Sequence, residues 1–360
     1  MLHGMSTPAS KPHYKVALIG CGRPHRSEGA TGYGMAHRHM AGFTASGRCT
    51  LVAVANRTRE RGEEFIAVHN PKAAVYTDYL EMMQVERPDV VSVCLWPAQH
   101  AEVVCRLAEF QPKLIFCEKP MDIHWDSSLR MHEVCRQHGV VLIINHQRRF
   151  NLPLARAKAL LDAGEIGALQ RMEGAWYNIA DAGSHVLDLL FFYNNDTAAD
   201  WVLGQIDLRE PQIVFGALHA GHGVSEIRFK NGVRAIFRFG KDHVENGCLL
   251  RLSGERGQIE ILFNEPWLRI RRAGQAEWEI VDTGESIHDD KAIHRAIAEM
   301  LDCLETGAVS QLDSTRALRA TEVIFATHES SRRRGRVDLP LAAVRCAMLE
   351  MVASGELKVG

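Results

Sequence analysis

The sequence predicts an α/β protein in two parts. A doubly wound parallel sheet comes first, and a second α/β domain with a large open, mainly antiparallel sheet follows. Three observations carry this expectation. Up to residue 145, unbroken apolar runs alternate with helical stretches, the pattern of parallel strands buried on both faces. From Ile213 to Ile280, short runs alternate polar and apolar residues, the pattern of strands with one wet face. At 360 residues the chain has room for two domains. The expected divisions are a flexible tail over residues 1–14, the parallel-sheet domain over 15–145, a second domain for substrate and self-association over 146–340, and an extension over 341–360.

The first strand, Lys15 to Ile19, ends in Gly20-Cys21-Gly22. In a dinucleotide-binding turn, one glycine makes the bend, a second lets the backbone approach a pyrophosphate, and a third packs helix against strand. Here the third glycine is displaced: Gly34 heads the helix Met35 to Ser46, and the stretch from Arg23 to Tyr33 forms a loop insertion. Arg23, His25 and Arg26 place cations near a helix N-terminus, which already favours anions. A plain βα turn would show the same Gly-x-Gly. The second strand ends at Asn56-Arg57, where an acid would hold the ribose hydroxyls of NAD and an arginine would suit the 2′-phosphate of NADP. The uncharged Asn56 with Arg57 tilts the expectation toward NADP; an arginine on the exposed start of the helix Thr58 to Val68 reads equally well.

The alternation continues through the strand Asp89 to Leu95, the helix Ala98 to Phe110 and the strand Leu114 to Cys117. That last strand runs into Glu118-Lys119-Pro120. Ligands of open α/β sheets sit beyond the carboxyl ends of their strands, so Lys119 is delivered to where a cofactor and a substrate meet. The same lysine read alone is an ordinary solvated strand end. The candidate cofactor contacts are Gly20, Gly22, Arg23, Gly34, Asn56, Arg57, Trp96, His100, Glu118 and Lys119.

After the strand Val140 to Ile144, the segment Asn145 to Phe150 leaves the first sheet, and its arginines face the cleft or water. A helix from Leu152 to Ala163 and a strand from Leu169 to Tyr177 follow. Next comes Asp181-Ala182-Gly183-Ser184-His185. If it opens a helix, Asp181 stands at its N-terminus, and spacings of three or four put His185 and Asp188 on one side. Histidine carries protons near neutral pH, and a carboxylate can orient its ring. A capping aspartate with a packed core histidine gives the same pattern. Asn231-Gly232 marks a hairpin between alternating runs. A broad open face on such a sheet points to a homodimer or homotetramer through it.

Composition narrows the partners. The net charge of −2 gives no basis for nucleic acid or an anionic membrane surface. The nine cysteines form no Cys-x-x-Cys pair, and the eighteen histidines show no metal spacing, so neither a metal site nor a disulfide framework is expected. Reduced thiols fit the cytoplasm. Residues 1–14 hold no apolar leader, and the longest apolar stretch, around Val90 to Trp96, is too short to span a bilayer.

With these segments placed, the chain resembles the Gfo/Idh/MocA family of NAD(P)-dependent sugar and cyclitol oxidoreductases. The points of contact are Gly20-Cys21-Gly22, Glu118-Lys119-Pro120, the pair Asp181 and His185, and the ending Glu329 to Pro340. The resemblance implies a Rossmann domain joined to an α/β domain with an open sheet. It implies that Lys119 is a catalytic lysine and His185 a general acid/base assisted by Asp181, with NADP or NAD as cofactor. The candidate substrate contacts are Lys119, Arg149, Tyr177, Asp181 and His185, and the expected substrate is a sugar, sugar derivative or cyclitol. The insertion from Arg23 to Tyr33 is longer than the family's usual turn. Three other functions fit the same motifs: a glycoside hydrolase using transient oxidation by bound NAD, a non-catalytic sugar or dinucleotide sensor, and a reductase of imines or other carbonyls.

Overall fold

The structure is a computed structural model that describes residues 11–28, 33–342 and 344–360. Residues 1–10 of the expected tail and residues 29–32 of the expected insertion lie outside the described residues.

Six parallel strands form the first sheet: β1 (Tyr14–Ile19), β2 (Cys49–Ala55), β3 (Ala74–Tyr76), β4 (Val90–Val93), β5 (Leu114–Cys117) and β6 (Val141–Ile144). Their spatial order is β3-β2-β1-β4-β5-β6. The order reverses between β1 and β4, so a crevice opens beyond the carboxyl ends of those strands. Helices α1 (Met35–Ala45), α2 (Arg59–His69), α3 (Tyr79–Glu86), α4 (His100–Ala108) and α5 (Trp125–Gln137) make the crossovers. Strands β4 and β5 are buried along their whole length, as their unbroken apolar sequences require.

After α6 (Leu152–Asp162), β7 (Leu169–Trp176) and α7 (Gly183–Tyr193), the chain adds β8 (Ala199–Asp207), β9 (Gln212–Val214), β10 (Ala217–His219), β11 (His222–Phe229) and β12 (Arg234–Gly240). Then come β13 (Leu250–Gly254), β14 (Gly257–Ile261), β15 (Leu268–Arg272), β16 (Glu279–Ile280), α8 (Lys291–Thr306), α9 (Ser314–Arg333), β17 (Val337–Asp338) and α10 (Ala347–Ser354). The second sheet has nine strands in the order β16-β15-β14-β13-β7-β12-β11-β8-β17. Only the β7–β12 pair is parallel. Gly232, at φ +94°, closes the expected β11–β12 hairpin. Strands β9 and β10 form a separate hairpin.

Two elements depart from the sequence expectation. Strand β8 lies outside the alternating segment that pointed to this sheet, yet it pairs with β11 along its length. Helix α8 comes from the second half of the chain but covers the first sheet. Its stripe of Ile293, Ala296, Ile297, Met300 and Leu301 packs into the cluster that holds Val16, Leu18 and Phe43. A Cβ on Gly42 of α1 would lie 2.5 Å from the Ile297 side chain, so the two helices meet closely there. The extension carries α10, which packs on α9.

Candidate active site

The glycine turn supplies one wall. Gly20 has φ +87°, and a Cβ there would lie 2.5 Å from the Cys94 carbonyl oxygen. Gly22 has φ +59° with open space around its Cβ position, so its backbone faces the cleft bare. Gly34 has φ +64°, and a Cβ would meet the His25 nitrogen at 2.7 Å where the loop returns to α1. A ligand phosphate therefore fits the turn: a Cβ at Gly22 would fill the cradle. Arg23 borders the same space, with Nη1 donating to the Glu28 carbonyl and Nε 3.6 Å from Glu64.

Asn56 and Arg57 lie outside the cleft lining. Asn56 Oδ1 accepts from the Cys21 backbone N–H at 3.1 Å, and its Nδ2 donates to the Thr58 carbonyl. Asn56 thus braces the glycine turn, while Arg57 stands exposed next to it. His100 is also redirected. Its ring is fully buried, 2.8 Å from the Pro120 carbonyl oxygen and 3.1 Å from that of Leu95. It fixes the turn behind Lys119 and does not reach the cleft.

At the end of β5, the two charged residues separate. Glu118 borders the cleft, but its carboxylate accepts from Asn145 Nδ2 at 2.7 Å and pairs with His39 Nε2 at 2.8 Å. Burial opposes the His39 cation, but its contacts with Cys94 and Glu118 outweigh burial and raise it to about 10. Burial likewise opposes the Glu118 anion, and His39 and Lys119 together hold its carboxyl below the usual range. The Glu118–His39 pair is a closed brace under the strand end. Lys119 turns the other way and crosses to the second half of the chain, where Nζ donates to Asp181 Oδ1 at 2.6 Å.

The Asp181 loop is held by Asn178, whose Oδ1 accepts from the Asp181 and Ala182 backbone N–H groups at 2.9 and 3.2 Å. A Cβ on Gly183 would fall 2.0 Å from the Asn178 carbonyl oxygen, so only glycine allows this turn into α7. His185 sits in the first turn of α7, buried and bordering the cleft, with Nδ1 lacking a partner. Burial, then the charges of Lys119 and Arg148, push it well below its ordinary value. The expectation that Asp181 would pair with this histidine is corrected. Asp181 is bonded to Lys119, and His185 stands as a neutral imidazole among cations.

Arg149 is the clearest departure. It is fully buried, donates to both Asp188 oxygens at 2.8 Å, and reaches Asp196 at 2.9 Å. It is a structural ion pair behind the cleft lining, and the same pair engages Asp188. The residue that does face the cleft is its neighbour Arg148, over the Trp176 ring at 5.0 Å. The sequence signal was the Arg148-Arg149 dipeptide itself; nothing in it says which arginine turns inward. Tyr177 borders the cleft, half exposed, with its ring 4.0 Å from that of His243. Trp96 stands at the mouth, against Gly216 of the β9–β10 turn. The cleft encloses about 940 Å³, within the size range of ligand pockets.

Residues 14–146 match the Gfo/Idh/MocA oxidoreductase family, over its NAD-binding Rossmann fold. An inositol 2-dehydrogenase of Ralstonia nicotianae is 28% identical over 236 residues, covering 58% of this chain and 65% of that protein. A D-xylose 1-dehydrogenase [NADP(+)] of Haloarcula marismortui is 28% identical over 138 residues, 38% of each chain. The chain thus spans less than two thirds of the length of these curated relatives. Levoglucosan dehydrogenase, solved with NADH and L-sorbose, shares the fold at a TM-score of 0.78 and 17% identity, covering 91% of this chain and 99% of that one. The WlbA dehydrogenase of Bordetella pertussis, solved with NADH and UDP-GlcNAcA, does so at 0.72 and 18%, covering 93% and 100%.

Proposed function

We propose that the protein is an NAD(P)-dependent oxidoreductase acting on a secondary alcohol or ketone of a sugar, sugar derivative or cyclitol. One observation carries the reading. Lys119 from the Rossmann half and Asp181 from the other half meet at 2.6 Å, beside the neutral His185 and across the cleft from the bare glycine turn. The family match of residues 14–146 and the dehydrogenase relatives support it.

Gly20, Gly22 and Gly34 would hold the pyrophosphate of a nicotinamide dinucleotide, which supplies the hydride acceptor or donor. His185, kept neutral by burial and neighbouring cations, accepts the hydroxyl proton of the substrate. Lys119 donates a hydrogen bond to the substrate oxygen, and Asp181 holds the ammonium in place. In the reverse direction His185 returns the proton. Tyr177 and Trp176 offer an aromatic wall to a sugar face. Cofactor choice tilts toward NADP on Arg57, which is exposed at the end of β2 with no ion-pair partner among the described residues.

No helix among the described residues is long and apolar enough to cross a membrane. All nine cysteines are free thiols, which supports action in a reducing cytoplasm. The open face of the second sheet supports a homodimer or homotetramer. A panel of sugars and cyclitols with NAD and NADP, followed by the reduced-nicotinamide absorbance, tests the activity. Turnover lost in Lys119→Met and His185→Ala, with cofactor binding kept, is the expected result; wild-type turnover in either variant refutes the assignment.

A further inference from the structure

The charged groups around the cleft differ in one respect. Lys119 has Asp181, Arg38 has Asp290 at 2.8 Å, and Arg23 has Glu64. Arg26 is exposed to water. Arg148 is enclosed, with Nη1 fully buried and without a partner. Among the described residues its guanidinium makes no hydrogen bond or ion pair. Its ring contact with Trp176 at 5.0 Å holds the planar fork in one orientation. Burial pulls it down to about 10, and the only acid that offsets this is Asp181, which is already bonded to Lys119. An enclosed cation without a counter-ion is costly unless something else supplies the charge. Arg148 lines the same cleft as Trp176 and His185, and its charge is felt by His185, the group assigned the substrate's proton.

We propose that the cleft takes a polyol bearing a carboxylate, and that Arg148 is the residue that holds this group. The proposal rests on the oxidoreductase reading and narrows its substrate class. Lys119, Arg148 and Asp181 together leave one positive charge over, with His185 neutral. That matches a monoanion, so a dianionic phosphate monoester fits less well. A guanidinium presents two parallel N–H donors to a carboxylate. No bond forms or breaks at Arg148; it positions the acid so that a hydroxyl further along the chain reaches His185.

The test compares matched acids and neutral polyols: D-glucuronate with D-glucose, D-gluconate with D-glucitol, and glucose 6-phosphate as the phosphate arm. Two readouts are taken, kcat/KM with each cofactor and calorimetric binding to the enzyme loaded with reduced cofactor. An acid is expected to bind about 10- to 100-fold tighter than its neutral counterpart, the usual worth of charged hydrogen bonds. Arg148→Gln is expected to reduce that acid-to-neutral ratio at least tenfold, mainly through KM, and Arg148→Lys to restore part of it.

The proposal is overturned if no acid binds, if the ratio is near one in the wild type, or if the phosphate ester outcompetes the acids. It is also overturned if Arg148→Gln weakens the reduced cofactor as much as the acid, since Arg148 would then serve the cofactor. Acid binding without turnover would sink the oxidoreductase reading and leave the Arg148 assignment standing. Turnover of neutral polyols with no preference for acids would do the reverse.

Discussion

Two clusters of buried charge lie within a few residues of each other, and they are built differently. In one, Arg149 is enclosed by Asp188 and Asp196, and Glu118 by His39 and Asn145. Every charged group there has its partner inside the protein, and the orphaned atom is a neutral one, the Oδ1 of Asn145. In the other, Lys119, Asp181, His185 and Arg148 share one cleft wall, and the Nδ1 of His185 and the Nη1 of Arg148 have none. A satisfied buried cluster is a brace, and an under-satisfied one facing a cavity is a place for a ligand. The difference separates adjacent residues, Glu118 from Lys119 and Arg149 from Arg148.

The comparison is sharpened first at the open cluster. Lys119→Met or His185→Ala is expected to reduce kcat/KM by about 100- to 10,000-fold, the usual range for general acid-base help. Reduced-cofactor binding, followed by nicotinamide fluorescence, should stay close to wild type. At the closed cluster, Asp188→Ala removes the fully buried, two-oxygen partner of Arg149 and leaves it only the half-buried Asp196. It is expected to destabilise the fold by about 3–5 kcal/mol in denaturant unfolding, as for other broken buried pairs. An Asp188→Ala protein with wild-type stability would break the comparison.

The pH dependence differs in sign between the two clusters. His39 is raised to about 10, above its unfolded value, so its contribution is fully present below pH 6.5 and is lost as pH rises through about 10. Unfolding free energy should fall across that window, and His39→Gln should flatten the fall. His185 is lowered well below its ordinary value, so its effect runs the other way: stability is lost as pH falls below 6.5. For the same reason kcat/KM should show no acid limb near pH 6.5 from His185; a limb there would mean that the histidine is not neutral in the working enzyme. The smallest effect is expected outside both clusters. Arg57→Ala should reduce the NADP-to-NAD ratio of kcat/KM by about tenfold, the worth of one charged contact.

Much of this was legible in the sequence. Five of the six parallel strands follow from unbroken apolar runs, the short β3 being the exception, and Lys119, Asp181 and His185 follow from where strand and helix ends fall. Pairings between distant segments were not legible. The choice between Arg148 and Arg149 is made by Asp188 and Asp196, 39 and 47 residues further along the chain. His39 looks like any polar residue on a helix until it lands between Ser92, Cys94 and Glu118. His100 sits at a helix start, where a ligand contact was the natural reading, yet two carbonyl oxygens take its ring. Helix α8 carries a plain amphipathic stripe, and the stripe does not say which sheet it will cover.

The most direct test of the open-against-closed distinction is turnover per folded molecule in Lys119→Met, measured beside its unfolding free energy. The expected result is a smaller loss of stability than in Asp188→Ala, because Asp181 borders the open cleft where water can reach its carboxylate, with turnover almost abolished. A variant that turns over at the wild-type rate, or one that loses activity only in proportion to lost folded protein, would contradict it.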